Sequence, residues 1–381
     1  MSSPASSSSP ARKTIVIIGG GAGALVARRL STLLNSTTHN VDLILITARP
    51  HFQHYIGSIR AAVTPEGGFA AQVLVPFDRL LINGNGTIIT AEVTAFSEHR
   101  EGEGGTVMLS NGESVRWDAL VLATGSIWEG PLDVPKSRKE ALAWFGDWQD
   151  RFEEARDILL VGGGSVAVEY AGEIKDLDPS KNVTIVHRDT MLLNKTYPNK
   201  FRKDVERRLR ARRVDLLLGD TVSEDAFTSA KITTRNGTTL TPDLVIPCRG
   251  PRPNTSIISA ALGADALTPA GHVKVLNTFQ LPNHPHIFAC GDIADLNEQR
   301  QIGKHRGHAD VVSKNVLALL DGHKPSAIYK GTMEMIFITI GKNGGAGYVD
   351  FLWGLCFGDW FVSLAKSRSL LVSKVRGYLG L

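Results

Sequence analysis

Cysteine is scarce in this sequence: Cys248, Cys290 and Cys356 stand far apart and form no Cys-x-x-Cys or other short pair. That spacing argues against a disulfide framework and against a zinc site. No run of about 18 apolar residues occurs, so no membrane-spanning helix is expected. No apolar leader segment follows Met1, and the chain reads as one of a reducing, cytoplasmic compartment. Asn-x-Ser/Thr triplets such as Asn85-Gly86-Thr87 then carry no meaning as glycan sites. Ser2 stands where N-myristoylation requires glycine. An excess of one charge is missing too: 42 Lys and Arg against 38 Asp and Glu leave a net +4. The basic residues are dispersed, so nucleic acid is not an expected partner.

What is present is an ordinary globular composition, 43% hydrophobic and 21% charged, over 381 residues. That length exceeds the usual size of one core, and two or three domains are expected. Residues 1 to 12 are mostly Ser, Pro and Ala, which cannot bury a core, and are expected to form a disordered tail.

The apolar β-branched run Thr14 to Ile18 ends in Gly19-x-Gly21-x-x-Ala24 and passes into helix-forming residues from Ala24 to Leu34. This is strand, tight turn and helix, followed by a second strand from Val41 to Ile46. The first glycine permits the turn, the second lets backbone approach a pyrophosphate, and the third small residue lets helix and strand pack closely. The helix N-terminus then faces the negative charge. Ile158 to Val161 leads into Gly162-x-Gly164-x-x-Ala167 in the same way, with a helix through Ile174 and a strand from Val183 to Val186.

A second signal repeats with it. Asn111-Gly112 marks a hairpin turn; Asp118 follows Asn111 by seven residues, opens the apolar strand Ala119 to Ala123, and precedes Gly125 by seven more. Asn236-Gly237, Asp243, the strand Leu244 to Ile246, and Gly250 reproduce both intervals. The competing reading is two ordinary hairpins; duplication of a nucleotide-binding unit accounts for loops and intervals together. Two nucleotide sites in one chain imply electron transfer between nucleotides.

Leu122-Ala123-Thr124-Gly125-Ser126 and Ile287-Phe288-Ala289-Cys290-Gly291-Asp292 complete the pattern. With the two loops, they make nearly the whole chain similar to the FAD-dependent pyridine nucleotide oxidoreductases of glutathione-reductase-like architecture. Within that superfamily the chain resembles the apoptosis-inducing-factor-like branch that includes ferroptosis-suppressor protein, related to type II NADH dehydrogenases. The residues that carry this are His51-Phe52-Gln53-His54 through Arg60-Ala61, Gly162-Gly163-Gly164-Ser165 with Val168-Glu169, Gly341 through Gly347, and Lys366-Ser367-Arg368. The resemblance implies an NAD(P)H:quinone oxidoreductase in which Asp292 accepts a hydrogen bond from the FAD ribityl chain. The expected cofactor-binding set for FAD and NADH or NADPH is Gly19, Gly21, Gly23, Ala24, Thr47, Arg60, Ala123, Thr124, Gly125, Gly162, Gly164, Ser165, Glu169, His187, Arg188, Gly250, Gly291 and Asp292.

Three departures matter. The acidic residue that normally ends the second strand and binds the adenosine ribose is replaced by Thr47-Ala48-Arg49, whose threonine hydroxyl is the weaker partner left. His187-Arg188 stands at the matching place in the second unit; Arg188 is either a 2′-phosphate partner favouring NADPH or a solvated strand-end arginine. The stretch His51 to Ala71 holds no cysteine pair, unlike disulfide reductases of the superfamily, so electrons leave the flavin directly.

Hydride transfer is cofactor chemistry that the protein positions. Glu169 lies two residues past Ala167, and the resemblance implies a catalytic place for it beside the nicotinamide, against the alternative of helix-end electrostatics. Lys366 is read as a cation or proton donor at the reduced flavin and acceptor, against that of a surface lysine. His51, His54, His305 and His308 are proton-supply candidates or satisfied structural groups. The segment Leu352 to Leu381 mixes Trp353, Phe357, Trp360, Phe361, Leu364, Leu370 and Leu371 with Lys366, Arg368, Lys374 and Arg376. It reads as a packed roof over the flavin site, as a peripheral face on an anionic membrane, or as both.

The expected fold class is α/β: two Rossmann-like dinucleotide-binding domains plus a smaller α+β C-terminal domain. The FAD domain takes residues 13–127 and 245–325, the NAD(P)H domain 128–244, and the C-terminal domain 326–381. Two other functions share every cofactor motif. One is a reductase of a small iron–sulfur protein. The other is an apoptosis-inducing-factor-like signalling protein with incidental redox turnover.

Overall fold

The computed structural model describes residues 12–35, 40–99 and 103–381; the tail expected over residues 1 to 12 falls outside them except for Arg12. Strand β1 (Lys13–Ile18), helix α1 (Ala22–Asn35) and strand β2 (Val41–Thr47) form the first unit. Helix α2 (Tyr55–Val63), strand β3 (Thr87–Thr90) and strand β4 (Ala119–Leu122) follow. Ile15, Val16, Ile17 and all of β4 are buried, as expected of parallel strands covered on both faces.

After helix α3 (Arg138–Glu154) the second unit repeats the plan: strand β5 (Asp157–Val161), helix α4 (Ser165–Leu177), strand β6 (Asn182–His187), strand β7 (Val214–Leu218) and strand β8 (Leu244–Pro247). The α3 start is written locally: Ser137 accepts from the Glu140 amide as an N-cap, and its hydroxyl donates to the Glu140 carboxylate at 2.6 Å. The chain then returns through strands β9 (Gln280–Leu281) and β10 (His284–Ala289) and helix α5 (His305–Leu320). It ends in the antiparallel strands β11 (Met335–Thr339), β12 (Gly345–Val349) and β13 (Leu355–Phe357) and the short helices α6 (Asp359–Val362) and α7 (Val372–Tyr378).

The first sheet has the order β9-β10-β4-β1-β2-β3 and the second β7-β6-β5-β8. The fold class is the expected one: mixed α/β with two parallel-sheet nucleotide-binding cores. One boundary moves. Strand β8 pairs with β5, Leu244 to Pro247 against Ile158 to Val161, so the return to the first domain begins after Pro247 and not at 245. The two connections pair with each other, Ser126–Ile127 antiparallel to Arg252–Pro253, and the second domain is inserted through this two-stranded neck.

The duplication holds at the level of single hydrogen bonds. Asp118 accepts from the Thr14 amide at 2.6 Å and donates its own amide to the Thr14 carbonyl. Asp243 accepts from the Arg156 and Asp157 amides and donates to the Asp157 carbonyl. Each aspartate therefore tethers the start of its central strand. Gly112 and Gly237, the two turn glycines, have φ of 86° and 88°.

The C-terminal sheet is not independent. Ile338, Ile340, Ala346 and Tyr348 belong to the same core as Ile59, Phe145, Tyr170 and Phe201, so it packs on α2 and the inserted domain. A polar clasp crosses this junction. Arg60 of α2 meets Glu173 of α4 in a bidentate pair, Nε to Oε2 at 2.7 Å and Nη2 to Oε1 at 2.8 Å, and Nη2 also donates to the Ser367 carbonyl at 2.7 Å. Both side chains are 4% exposed. This corrects the cofactor contact expected of Arg60: its donors are committed to a brace between domains.

Removing one member of such a pair leaves an unpaired buried charge. Arg60→Ala is expected to cost about 3–5 kcal/mol in chemical denaturation, while Arg60→Met with Glu173→Leu recovers most of it. A loss under about 1 kcal/mol, typical of an exposed pair, contradicts the brace.

Candidate functional site

Both glycine loops have the geometry their spacing requires. Gly19 has φ +115°, and a Cβ there would lie 2.1 Å from the Ala123 carbonyl oxygen; Gly162 has φ +120°, with a Cβ 2.4 Å from that of Cys248. Neither position admits a side chain. At Gly21 and Gly164 a Cβ would meet nothing within 4 Å, so these residues present bare backbone to open space at the starts of α1 and α4. Gly23 packs instead, its Cβ position 2.9 Å from Ile17, and Ala24 is fully buried. Ser165 opens α4, and Gly125 and Gly250 take φ of 72° and 87° at the matching loop ends.

The first loop and the Gly291-Asp292 turn form one cleft. Gly291 has φ +75°, and a Cβ on it would lie 2.6 Å from that of Ala22. The Ser126 hydroxyl donates to Asp292 at 2.8 Å, and His305, the first residue of α5, donates Nε2–H at 3.1 Å. Burial pushes the Asp292 carboxyl up, but these two hydrogen bonds and the nearby cations bring it below the ordinary carboxylate value. Thr124 is turned away, its hydroxyl on the Asn254 carbonyl. His308 is a satisfied structural group: Nδ1 accepts from the Gly291 amide and Nε2 donates to Glu298 at 2.9 Å.

The two strand ends differ from expectation. The Thr47 hydroxyl donates to the Arg49 carbonyl at 3.1 Å and lies 2.5 Å from where a Gly20 Cβ would be. It supports the loop from beneath, and with its hydrogen on that carbonyl only the acceptor role of the oxygen is left for a ribose. His187 does the same in the second unit: its Nδ1 accepts from the Gly163 amide at 3.0 Å, and burial lowers its pKa. Arg188 alone points outward, 79% exposed and 3.9 Å from Asp189.

Glu169 and Lys366, 197 positions apart, meet. The Lys366 ammonium donates to Glu169 Oε1 at 2.6 Å and to the Phe337 carbonyl at 2.7 Å, and the Thr339 amide donates to the same carboxylate oxygen at 3.2 Å. An ammonium has three donors; the third is uncommitted among the described residues. His54, at the start of α2, donates Nε2–H to the Leu370 carbonyl at 2.7 Å. Its pKa falls to about 4 through burial, opposed by the Leu370 contact and aided by the Lys366 charge. Its Nδ1 is a buried acceptor without a partner among the described residues. Tyr55, the next residue, stacks on Trp128 at 5.2 Å, and burial raises its pKa.

The C-terminal segment divides. Leu370, Val372, Val375 and Leu379 are buried, and α7 covers the core of the first domain with α1 and α5. Between Phe351 and Leu364, Phe351, Leu352, Trp353, Leu355, Trp360, Phe361 and Leu364 are exposed, while Val362 is buried. Among the described residues no helix is long and apolar enough to cross a membrane. Sequence reasoning missed Ser126, Tyr55, Trp128 and Phe337. Ser126 alone carried a signal, following Gly125 in the motif; the others act through a carbonyl or a ring face, which no spacing marks.

The residues fit a dinucleotide with a flavin: bare backbone at Gly21 and a charged Asp292 in the turn that meets the first loop. The pyridine nucleotide-disulphide oxidoreductase family matches residues 13–312. An FAD-dependent oxidoreductase of Flammulina velutipes is 44% identical over 306 residues, covering 80% of this chain and 94% of that protein. Ferroptosis suppressor protein 1 of Taeniopygia guttata is 32% identical over 346 residues, 88% of each. The sulfide:quinone oxidoreductase of Aquifex aeolicus superposes with a TM-score of 0.73 at 18% identity over 96% of this chain and 92% of that one, a likeness of fold.

Two measurements test this site. Gly19→Ala is expected to yield protein without bound flavin absorbance. Gly162→Ala is expected to keep the flavin and raise the KM for the nicotinamide nucleotide about tenfold, or ~1.4 kcal/mol. Flavin retained at full occupancy in Gly19→Ala contradicts the assignment of the first loop. The second concerns pH. Burial lowers the His54 pKa from its ordinary 6.5 to about 4, so the residue favours folding above the higher value and loses that contribution as pH falls through the lower. His54→Gln, which keeps a donor for Leu370, is expected to flatten the fall in thermal midpoint over that window. An unchanged slope contradicts a buried neutral His54.

Proposed function

The chain belongs to the pyridine nucleotide-disulphide oxidoreductase family, and we propose that within it the protein is an NAD(P)H:quinone oxidoreductase. Its cofactors are FAD and NADH or NADPH. The bound FAD supplies the two-electron chemistry that joins nicotinamide oxidation to reduction of the acceptor.

The observation that carries the proposal is the ion pair of Lys366 with Glu169. It stands where the nicotinamide-side helix meets the C-terminal segment, and the stretch His51 to Ala71 opposite has no thiol to relay electrons. Phe337, which holds Lys366 through its carbonyl, stacks loosely with Phe357 and Phe361 at 6.0 and 5.9 Å. A cation at the inner end of an aromatic group suits an acceptor that is apolar, planar and gains negative charge on oxygen, which describes a quinone. The Lys366 ammonium stabilises that charge and delivers the proton required by NAD(P)H + H⁺ + quinone → NAD(P)⁺ + hydroquinone. Glu169 fixes the ammonium and keeps Oε2 for the nicotinamide side. Asp292, held ionised by Ser126 and His305, takes the ribityl hydroxyl. Exposed Arg188 accommodates a 2′-phosphate, which favours NADPH.

NAD(P)H oxidation with a short-chain ubiquinone, compared with the same reaction lacking acceptor, is the direct assay. Marked stimulation is expected. Lys366→Ala is expected to lower kcat with quinone by about 10²-fold or more, while anaerobic bleaching of the flavin by NAD(P)H changes by a few-fold at most. No stimulation by any quinone, or a small iron–sulfur protein reduced far faster, refutes the acceptor.

A further inference from the structure

The hairpin between β12 and β13 ends in a tip of unusual composition. Trp353 is 96% exposed, Leu352 69% and Phe351 53%, and past β13 Trp360 is 79% and Leu364 65% exposed. Leu352 and Gly354 take φ of 56° and 83°, so the turn is tight and projects its side chains outward. Large apolar side chains gathered this way on a folded surface mark a contact with something else. Tryptophan, with an apolar ring and one polar N–H, is suited to an interface between water and hydrocarbon.

A basic groove adjoins the tip. The helix Asn199–Ala211 of the inserted domain and residues Cys356, Phe357 and Gly358 enclose an open space of about 430 Å³ that Lys200, Lys203, Arg207 and Arg208 also line. The acids there are occupied: Asp204 pairs with Arg207 and Arg208, and Asp359 pairs with Arg208. Lys200 and Lys203 have no ion pair among the described residues, and their charge is left for a ligand. Apolar anchors beside unpaired cations complement one surface in particular, that of an anionic lipid bilayer, whose headgroups lie just above its hydrocarbon.

We propose that the tip Phe351–Trp353, the Trp360 turn and the groove beside them dock this protein on an anionic lipid surface. The docking face differs from the one read in the sequence, where Lys366, Arg368, Lys374 and Arg376 supplied the charge; Lys366 is taken by Glu169, and α7, which carries the last two, lies against the first domain. Its use rests on the quinone reading. Phe361 stacks on Phe357 at 4.5 Å, both reach Phe337, and the Phe337 carbonyl holds Lys366. A lipid-soluble acceptor leaving the bilayer at Trp360 meets these rings before it meets the ammonium.

Flotation of the full-length protein with vesicles of phosphatidylcholine and phosphatidylserine, and with vesicles of phosphatidylcholine alone, tests the face without turnover. Binding to the anionic vesicles is expected, weakened about tenfold by Trp353→Ser with Trp360→Ser. Lys200→Glu with Lys203→Glu is expected to abolish the preference for phosphatidylserine. Both variants should reduce a water-soluble short-chain quinone at the parent rate. Absence of vesicle binding, or binding indifferent to the tryptophans, overturns the proposal. So does self-association that vanishes in the tryptophan variant while no vesicle is bound, which assigns the face to a second copy. Vesicle binding by a protein that reduces no quinone supports the docking face and removes the acceptor reading alone.

Discussion

One face of helix α4 organises the molecule. Glu169, Glu173 and Asp176 lie at the i, i+4, i+7 spacing that lines one side of a helix, and each carboxylate takes partners from elsewhere in the chain. Glu169 receives Lys366 and the Thr339 amide, Glu173 receives Arg60, and Asp176 receives the Lys342 amide and Arg212. Gly172 lies on the same side, where a Cβ would come within 2.3 Å of the Gly341 amide nitrogen. Glu169 and Glu173 are buried, and buried carboxylates are expensive unless paired, so the arrangement contributes less to stability than apolar packing of equal volume and more to position. It sets the inserted domain, α2 and the C-terminal sheet in one register. The Lys366 ammonium lies in that register.

Most of the scaffold was legible in the sequence because it depends on backbone needs that few residues meet. The glycines at 19 and 162 have no alternative at their φ values and contacts. The intervals of seven located Asp118 and Asp243, whose task, tethering the first strand, the intervals alone did not reveal. The junction was less legible. Arg60 was marked by resemblance and placed on a cofactor, whereas its partner Glu173 lies 113 positions away and carries no signal beyond one carboxylate in a helix. Thr47 and His187 were seen as strand-end residues facing ribose. Their polar atoms turn back under the glycine loops, because a loop of bare amides needs acceptors and support as much as a ribose does. The strand at 244 was cut by an assigned boundary because apolar runs do not state which sheet they join.

The repeated units diverge where their chemistry does. In the first, the loop abuts the Gly291 turn, and Asp292, His305 and Ser126 build a charged wall beside it. In the second, the charge comes from Glu169 within the helix, where the Lys366 ammonium and the Thr339 amide meet it.

The last step lies in the chain around Lys366. Residues Ser363–Ser367 form a π-helical turn, in which the Arg368 amide reaches back to the Ser363 carbonyl. Such a turn carries one more residue than an α-turn and is found often at functional sites. Here it sends the Lys366 side chain to Glu169 while the Ser367 carbonyl faces Arg60, so adjacent residues serve the two neighbouring carboxylates of α4. An α-turn would rotate one of them away. The chain then turns sharply, with Leu370 and Leu371 both at positive φ, 48° and 61°, a conformation that costs side-chain-bearing residues energy. The Leu370 carbonyl is thereby brought to His54 and its side chain to the core. Strain in two leucines is the local expense of holding a lysine, a histidine and an arginine on three elements at one place.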